Sequence, residues 1–354
     1  MKGEKMKERN GYLFIAEARE AKLAQFTGRL DRLTTLVDWQ GLARAVNDAT
    51  GREGHRPKGG RPPYPTEALL KIVVLQQLYG NLSDEEMEYC LLDRMSWQTF
   101  TGLAGHRQLP DARTIWAFKN LLAQEGGAEA LFDVVGQQLA AAGLEARGGQ
   151  IVDATFITVS KTHVTDEERT QLNEGRTPES WTAKEVAHTD CDARWAIKGR
   201  RAFYGYKAHI NCDQQHKLIR AVDLTPANVD DRVPFEGLLD TRPERLAHGK
   251  TAHADRGYHG KEVREMLKDN GLVDGVARKD DPQCYDQTEI HERNQKLSKI
   301  RARVEHVFGD WQQSAGKTLR CIGKIRAKGQ TMVRAVVYNL RRWLAIDGKR
   351  VSCA

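Results

Sequence analysis

Three acidic residues stand where acids suit structure poorly. Asp153 lies inside the apolar run IVDATFI, Asp255 closes a short run in AHADRGY just before a glycine, and Glu305 sits in IRARVEHVFGDW. A carboxylate in the interior of a strand must be paired, protonated or bound to a cation. Strand ends are where α/β sheets place their ligands. Two or three carboxylates converging on one point suit a hard divalent cation such as Mg²⁺, which takes oxygen ligands and keeps some of its waters. Two such ions, roughly 3.5–4 Å apart, activate a nucleophile and stabilise a leaving oxygen in phosphoryl transfer. One carboxylate cannot hold both ions, whereas a bridging Asp with a flanking Asp and Glu can. Each acid also has an ordinary use. Asp153 suits a buried hydrogen-bonded side chain and Asp255 a turn, and Glu305 suits an exposed helix acid paired with Arg301 one turn earlier. With 48 acids in the chain, chance triples abound, and the residues alone leave both uses open.

The elements that would position these acids can be read around them. GGQIVDATFITVSK (148–161), FYGYKAHINCD (203–213) and HKLIRAVDLTPA (216–227) are strand-like, the last two separated by an Asp-Gln-Gln turn. A helical PFEGLLDT follows, then KTAHADRGYHG as a short strand ending in a turn, KEVREMLKDNG as a helix closed by Gly271, and LVDGVA as a fifth strand. Glu305 falls on a helix whose apolar side carries Ile300, Val304, Val307 and Phe308. The order β-β-β-α-β-α-β-α predicts a mixed sheet covered by helices. Residues 161–202 interrupt the first two strands and read as an exposed polar insertion.

The N-terminal part reads as helical. Leu30, Leu33, Leu36 and Val37 recur at helical spacing, and a loop-like GREGHRPKGGRPPYP (51–65) follows. Its Arg52, Arg56, Lys58 and Arg61 suit either phosphate contact or a solvated linker. Between 66 and 125, Thr66 is placed to cap one helix, Ser83 with Glu86 makes a capping box, and Asp111 caps DARTIWAFKNLLAQ, which ends at Gly126–Gly127. A further helix runs from Ala128 to Ala142. Short helices on short loops fit a helix-turn-helix module, and equally any small bundle.

The chain has 354 residues, enough for two or three domains, with 40% hydrophobic and 29% charged residues and a net charge of +7. That balance suits a polyanionic partner, with nucleic acid first and an anionic membrane surface second. The apolar stretch Ala68–Leu82 is broken by Lys71, Gln76 and Gln77, too short to span a membrane, and MKGEKMKERN has no apolar signal core, so a cytosolic protein is expected. The six cysteines (90, 191, 212, 284, 321 and 353) form no C-x-x-C pair, which argues for reduced thiols rather than a zinc site. From Lys317 to Arg350 ten Lys and Arg (317, 320, 324, 326, 328, 334, 341, 342, 349 and 350) face one acid, Asp347. Such density favours DNA phosphates through counterion release. Met332, Val333, Val336, Val337, Leu340 and Leu344 mark part of this stretch as an amphipathic helix packed on the core.

In order and spacing the chain resembles bacterial insertion-sequence transposases of the DDE type, specifically the insertion-sequence-five family. LDRLTTLVDWQGLARAV resembles that family's opening segment. GRPPYPTEALLKIVVLQQLYGNLSDEEMEYCLLDRMSWQTFTGL and LPDARTIWAFKNLL resemble its helical N-terminal domain. IVDATFI, FYGYKAHI with LTPANVDD, ADRGYHG and IRARVEHVFG resemble its catalytic blocks. The resemblance implies an α/β RNase H-like mixed sheet with flanking helices, preceded by an all-α DNA-binding domain. The expected division is 1–60, a helical segment and linker; 61–147, the helical DNA-binding domain; and 148–354, the catalytic domain, with the insertion 161–202 and basic C-terminal helices. It also implies Asp153, Asp255 and Glu305 as catalytic ligands of two Mg²⁺ ions, with Mn²⁺ able to substitute. The partners implied are double-stranded DNA, as terminal inverted repeats and target, and a second copy of the chain when two ends are paired. The implied setting is the bacterial cytoplasm and nucleoid, with no membrane. Relatives often carry Tyr-x2-Arg-x3-Glu-x6-Lys around the glutamate. Here Arg301 and Glu305 fit, but Ser298 replaces the Tyr and Gln312 the Lys. Arg301 is thereby expected to grip DNA phosphate, with Lys299, Arg303, Lys207, Arg256, Lys324, Arg326 and Lys328 as further contacts. A nuclease without strand transfer and a catalytically silent DNA-binding protein are the rival readings. The presence of all three acids argues against the second.

Overall fold

The computed structural model describes residues 21–22, 28–52, 62–144, 148–160, 164–247, 249–279, 287–316 and 318–353. Met1–Asp38 and Trp39–Ala354 form separate units. In the first, helix α1 (Arg29–Leu36) starts where Gly28 N donates to Asp31 Oδ2 at 2.7 Å, and Leu33 is buried. Of the loop cations, Arg52 donates to Tyr64 O at 2.7 Å. Arg56, Lys58 and Arg61 lie outside the described residues.

The second unit opens with six helices: α2 (Trp39–Thr50), α3 (Thr66–Leu78), α4 (Asp84–Asp93), α5 (Met95–Thr101), α6 (Ala112–Gln124) and α7 (Gly127–Ala141). Their starts follow local chemistry. Glu86 N donates to Ser83 Oγ and Ser83 N to Glu86 Oε2, the reciprocal pair expected, and Thr114 N donates to Asp111 Oδ1. Thr66 departs from expectation. Pro65 holds the cap position, and Thr66 is already helical, its hydroxyl donating to Asn47 Oδ1 at 2.6 Å. Apart from Glu67, every residue of α3 is buried. Lys71 is tolerated there because it pairs with Glu67 at 2.7 Å and sits over the Trp39 and Phe100 rings.

The sheet follows as β1 (Gln150–Thr158), then α8 (Asp166–Asn173), α9 (Ala183–His188), β2 (Arg194–Lys198), β3 (Arg201–Asp213), β4 (Ile219–Pro226), α10 (Phe235–Leu238), α11 (Pro243–Leu246), β5 (Thr251–Ala254), a single 3₁₀ turn (Arg256–Tyr258), α12 (Lys261–Asp269), β6 (Val273–Val276), α13 (Gln287–Ala315) and α14 (Lys324–Cys353). The order is β2-β3-β1-β5-β6, with β4 also on β3. β3 is antiparallel to β1, β2 and β4, while β1, β5 and β6 are parallel. The mixed sheet with helical cover is therefore as expected. β2 and β4 share one edge of β3, β2 along 201–205 and β4 along 206–212. The stretch 161–202 differs from the exposed insertion expected. It holds α8, α9 and β2, and it buries Leu172, Asp190 and Ala193. Asp190 accepts from Tyr206 OH at 2.7 Å and from Gly323 N at 3.0 Å, which ties the insertion to the start of α14.

α14 packs on α3, α6, α7 and β4, so one helix closes both the helical part and the sheet. Met332, Val333, Val336, Val337, Leu340 and Leu344 are buried, as their spacing predicts. α14 meets α6 closely at Gly329, where an added Cβ would lie 2.7 Å from Ala123 Cβ. In an exposed helix Gly→Ala gains up to about 1 kcal/mol. Here Gly329→Ala is expected to lose about 1–3 kcal/mol through overpacking, read as a lower midpoint in denaturant unfolding.

Candidate active site

β1 and β5 pair in parallel with Gln150 opposite Ala252 and Ile151 opposite His253. Extending that register by two residues sets Asp255 abreast of Asp153, on neighbouring strands and on the same face of the sheet. β5 ends at Ala254, whereas β1 runs on to Thr158. The flank of β1 just beyond Asp153 thus has no β5 partner, and among the described residues it is met again only at Thr158, which bridges to Thr318. The two acids stand at the notch where the short strand stops.

Asp153 is only partly compensated there. Ala154 N donates to its Oδ1 at 2.8 Å, and Arg301 Nη2 stands 3.8 Å from its Oδ2. Burial pushes the carboxyl up to about 6. The Ala154 N–H and Arg301 oppose that shift, and Asp255 adds to it. Asp255 caps the 3₁₀ turn, its Oδ1 accepting from Gly257 N at 2.7 Å. A Cβ at Gly257 would lie 2.8 Å from that oxygen, so glycine permits the close approach. Tyr258 closes the floor. It is 1% exposed, packs on Phe235, and its hydroxyl has no hydrogen-bond partner among the described residues. Burial, then Asp231, Asp153 and Asp255, raise its phenol well above the usual range.

α13 brings Arg301 to this point. Val304, Val307 and Trp311 bury its apolar side. Arg293 donates to Val276 O and Asp274 O, and Arg303 Nη1 donates to Gln214 O at 2.7 Å. Arg301 is half-buried, and its Nε has no partner among the described residues. Glu305 follows one turn later and is exposed. Among the described residues no three His, Cys, Asp or Glu gather closely enough to hold a metal ion. The structure thus brings Asp153 and Asp255 together and leaves Glu305 on the solvent side of α13.

The other cations named from sequence fall into two groups. Lys299, Arg256 and Lys324 are exposed. Lys207 pairs with Asp231 at 2.8 Å and donates to Val229 O. Arg326 donates to Asn120 Oδ1 and lies over the Trp116 ring, and Lys328 lies 3.7 Å from Glu129 and 3.8 Å from Asp223. Three more cations of the basic C-terminal stretch are similarly engaged, while Arg320 is exposed. Arg334 is buried, Arg341 pairs with Asp310, and Arg342 donates to His216 O. Lys317 lies outside the described residues. Two residues near the acids were not singled out from sequence: Tyr258, although it stands in ADRGYHG, and Lys198, whose charge acts on Asp153. No helix among the described residues is long and apolar enough to cross a membrane.

Comparison with known proteins places this geometry in a family. The model described as "Transposase DDE domain" matches residues 145–340, and "Transposase domain (DUF772)" matches residues 18–121. Among solved structures, a cryo-EM structure of the piggyBac transposase synaptic complex with hairpin DNA is 10% identical, with 89% of this chain and 73% of that chain covered and a TM-score of 0.44. A crystal structure of a pre-cleavage Mos1 transpososome is 11% identical, covering 91% and 98%, with a TM-score of 0.20. The match to the DDE domain spans more than half of the chain and includes Asp153, Asp255 and Glu305, and the chain belongs to the DDE transposases.

Proposed function

We propose that this transposase cuts DNA at the terminal inverted repeats of an element of the insertion-sequence-five group and joins the freed 3′ end to target DNA, with Asp153, Asp255 and Glu305 as its metal-holding carboxylates. The observation that carries this reading is the pair Asp153–Asp255 at the β1–β5 notch, one carboxyl pushed up to about 6 by burial with its nearest cation 3.8 Å away. Hard oxygen donors in a partly dry site fit Mg²⁺, and Mn²⁺ in its place. Bound there, a divalent cation would sharpen a water or 3′-hydroxyl nucleophile and offset charge on the leaving oxygen. The strand order β4-β3-β1-β5-β6, antiparallel on one side of β1 and parallel on the other, supports the RNase H-like reading.

The chain's own residues supply the rest. Asp153, within β1, and Asp255, at the end of β5, hold negative charge at the notch. Glu305 shares a helix face with Arg301 and is the nearest further acid on α13. Arg301, beside Asp153, holds a phosphate through the guanidinium that α13 presents at the notch. We assign end recognition to residues 61–147 and the chemistry to 148–354. Pairing two ends calls for at least two copies on DNA. The test is incubation with DNA carrying the element's ends and Mg²⁺. Cut ends that also appear joined to target support the proposal. Cutting without joining reduces the protein to a nuclease, and binding without cutting removes the enzymatic reading.

Arg301 gives a sharper prediction. It holds the Asp153 carboxyl down, so Arg301→Ala raises that group above about 6 and moves the acidic limb of the cleavage–pH profile upward. Cleavage at neutral pH falls about 10–100-fold, the worth of one charge-assisted phosphate contact. The unfolding midpoint barely moves, since a partly exposed pair contributes under about 1 kcal/mol. Arg301→Lys recovers part of the loss. Near-normal cleavage by Arg301→Ala would show that the residue is only an ion-pair partner.

A further inference from the structure

The hairpin of β2 and β3 reaches beyond the sheet. β1 ends at Thr158, opposite Gly205, so Arg201–Phe203 pair only with β2. Ile197 opposes Ala202 and Lys198 opposes Arg201, with a two-residue turn, Gly199–Arg200, between them. Gly199 takes φ +62, the value such tight turns require at their first position. Ile197 through Ala202 are all exposed. Three cations, Lys198, Arg200 and Arg201, thus stand within four residues, and no carboxylate pairs with any of them among the described residues. The C-terminal cations differ in being mostly engaged within the protein.

The tip is also close to the acids. Lys198 lies 6.0 Å from the Phe156 ring centre, and Phe156 stacks on Phe203 with ring centres 4.5 Å apart. Phe156 is on β1, three residues beyond Asp153 and by strand alternation on the opposite face, and the Lys198 charge is still felt at Asp153. The stacked rings brace the base of the ribbon. Ile197 lies on the ribbon's other face at 78% exposed, an apolar tip of the kind that enters a groove or wedges a base step. Unpaired cations on a two-stranded ribbon complement a duplex, because such ribbons fit DNA grooves and Arg and Lys meet backbone phosphates.

Resting on the DNA-cutting reading above, we propose that the Lys198–Arg201 tip is a DNA clamp whose three cations hold duplex phosphates beside the bond presented to Asp153 and Asp255. The test measures affinity for a fluorescein-labelled random-sequence duplex against salt concentration. It compares the intact protein, Lys198→Ala/Arg200→Ala/Arg201→Ala, and a control that removes equal charge from exposed α12 residues, Lys261→Ala/Arg264→Ala/Lys268→Ala. Each phosphate contact adds about 0.9 to the slope of log affinity against log salt, so the tip variant's slope is expected to be shallower by about 2.7. Between about 50 and about 200 mM salt it then loses about forty-fold less affinity than the intact protein. The control keeps the full slope, and a photoreactive group at position 200 crosslinks to the duplex. A full slope in the tip variant, or equal flattening in both variants, overturns the clamp and leaves the DNA-cutting reading standing. Failure of the intact protein to bind DNA removes both. Because the tip is exposed, the thermal melt of the variant stays that of the intact protein.

Discussion

Asp153→Asn is expected to abolish cleavage, by at least about a thousand-fold, while stabilising the metal-free protein. The first effect follows from losing one ligand charge at the β1–β5 notch, worth several kcal/mol of transition-state stabilisation in metal-assisted phosphoryl transfer. The second follows from the raised carboxyl. Between its ordinary value of 3.8 and about 6, the folded protein binds the Asp153 proton more tightly than the unfolded chain. Stability is therefore full below about pH 4, falls as pH rises through that window, and stays reduced above it. The difference corresponds to roughly 3 kcal/mol. Asn carries no charge and keeps an acceptor for Ala154 N, so the variant escapes the penalty. Its unfolding free energy should exceed that of the intact protein at pH 7 and match it near pH 4. Added Mg²⁺ should narrow the gap by stabilising only the intact protein. A variant that cuts well, or one that is less stable at neutral pH, would remove Asp153 from the site.

Deleting residues 39–125 is expected to leave no folded catalytic part. That segment contributes Leu69, Leu70, Ile72, Val73, Leu75, Ile115, Phe118 and Leu122 to the core. α14, which also covers β4, packs on two of the helices in this segment, α3 and α6. Arg326 and Gln330 would lose Asn120 and Asn81, and Gly329 would lose its contact with Ala123. Each large apolar side chain returned to water costs about 1.5–3 kcal/mol, against a whole stability of about 5–15 kcal/mol. A handful of uncovered partners therefore suffices. Far-ultraviolet circular dichroism and the oligomeric state of the truncated chain decide the matter. A monomeric, cooperatively melting product would show that the sheet folds without the helices.

What could be read from the sequence is what depends on near neighbours. Asp153 stands out because a charge inside IVDATFI has no local use, and Asp255 because a strand stops there at a glycine. The Ser83–Glu86 and Asp111 caps were legible because their partners lie three residues away. Thr66 misled because Pro65, with no side-chain oxygen, still holds the cap. β2 escaped because RWAIK is short and forms only against the free edge of β3. The same nonlocality hides Asp190. It sits in a polar stretch, yet it is buried by a tyrosine 16 residues away and a backbone N–H 133 residues away. The basic C-terminal stretch reads as a DNA face from composition. Its Arg326, Lys328, Arg341 and Arg342 instead meet protein groups between 31 and 206 residues away, which no local pattern announces.

The placement of α14 also governs how the chain reaches this state. Gln330 binds Asn81 across 249 residues, and Arg326 binds Asn120 across 206. Contacts of such long sequence separation close slowly, because chain entropy is lost before they form. During synthesis, the apolar faces of α3, α6 and α7 are complete some 200 residues before α14 exists to cover them. At about 5–20 residues per second they stay bare for roughly 10–40 s on every chain made, ample time for chaperone capture or aggregation to compete with folding.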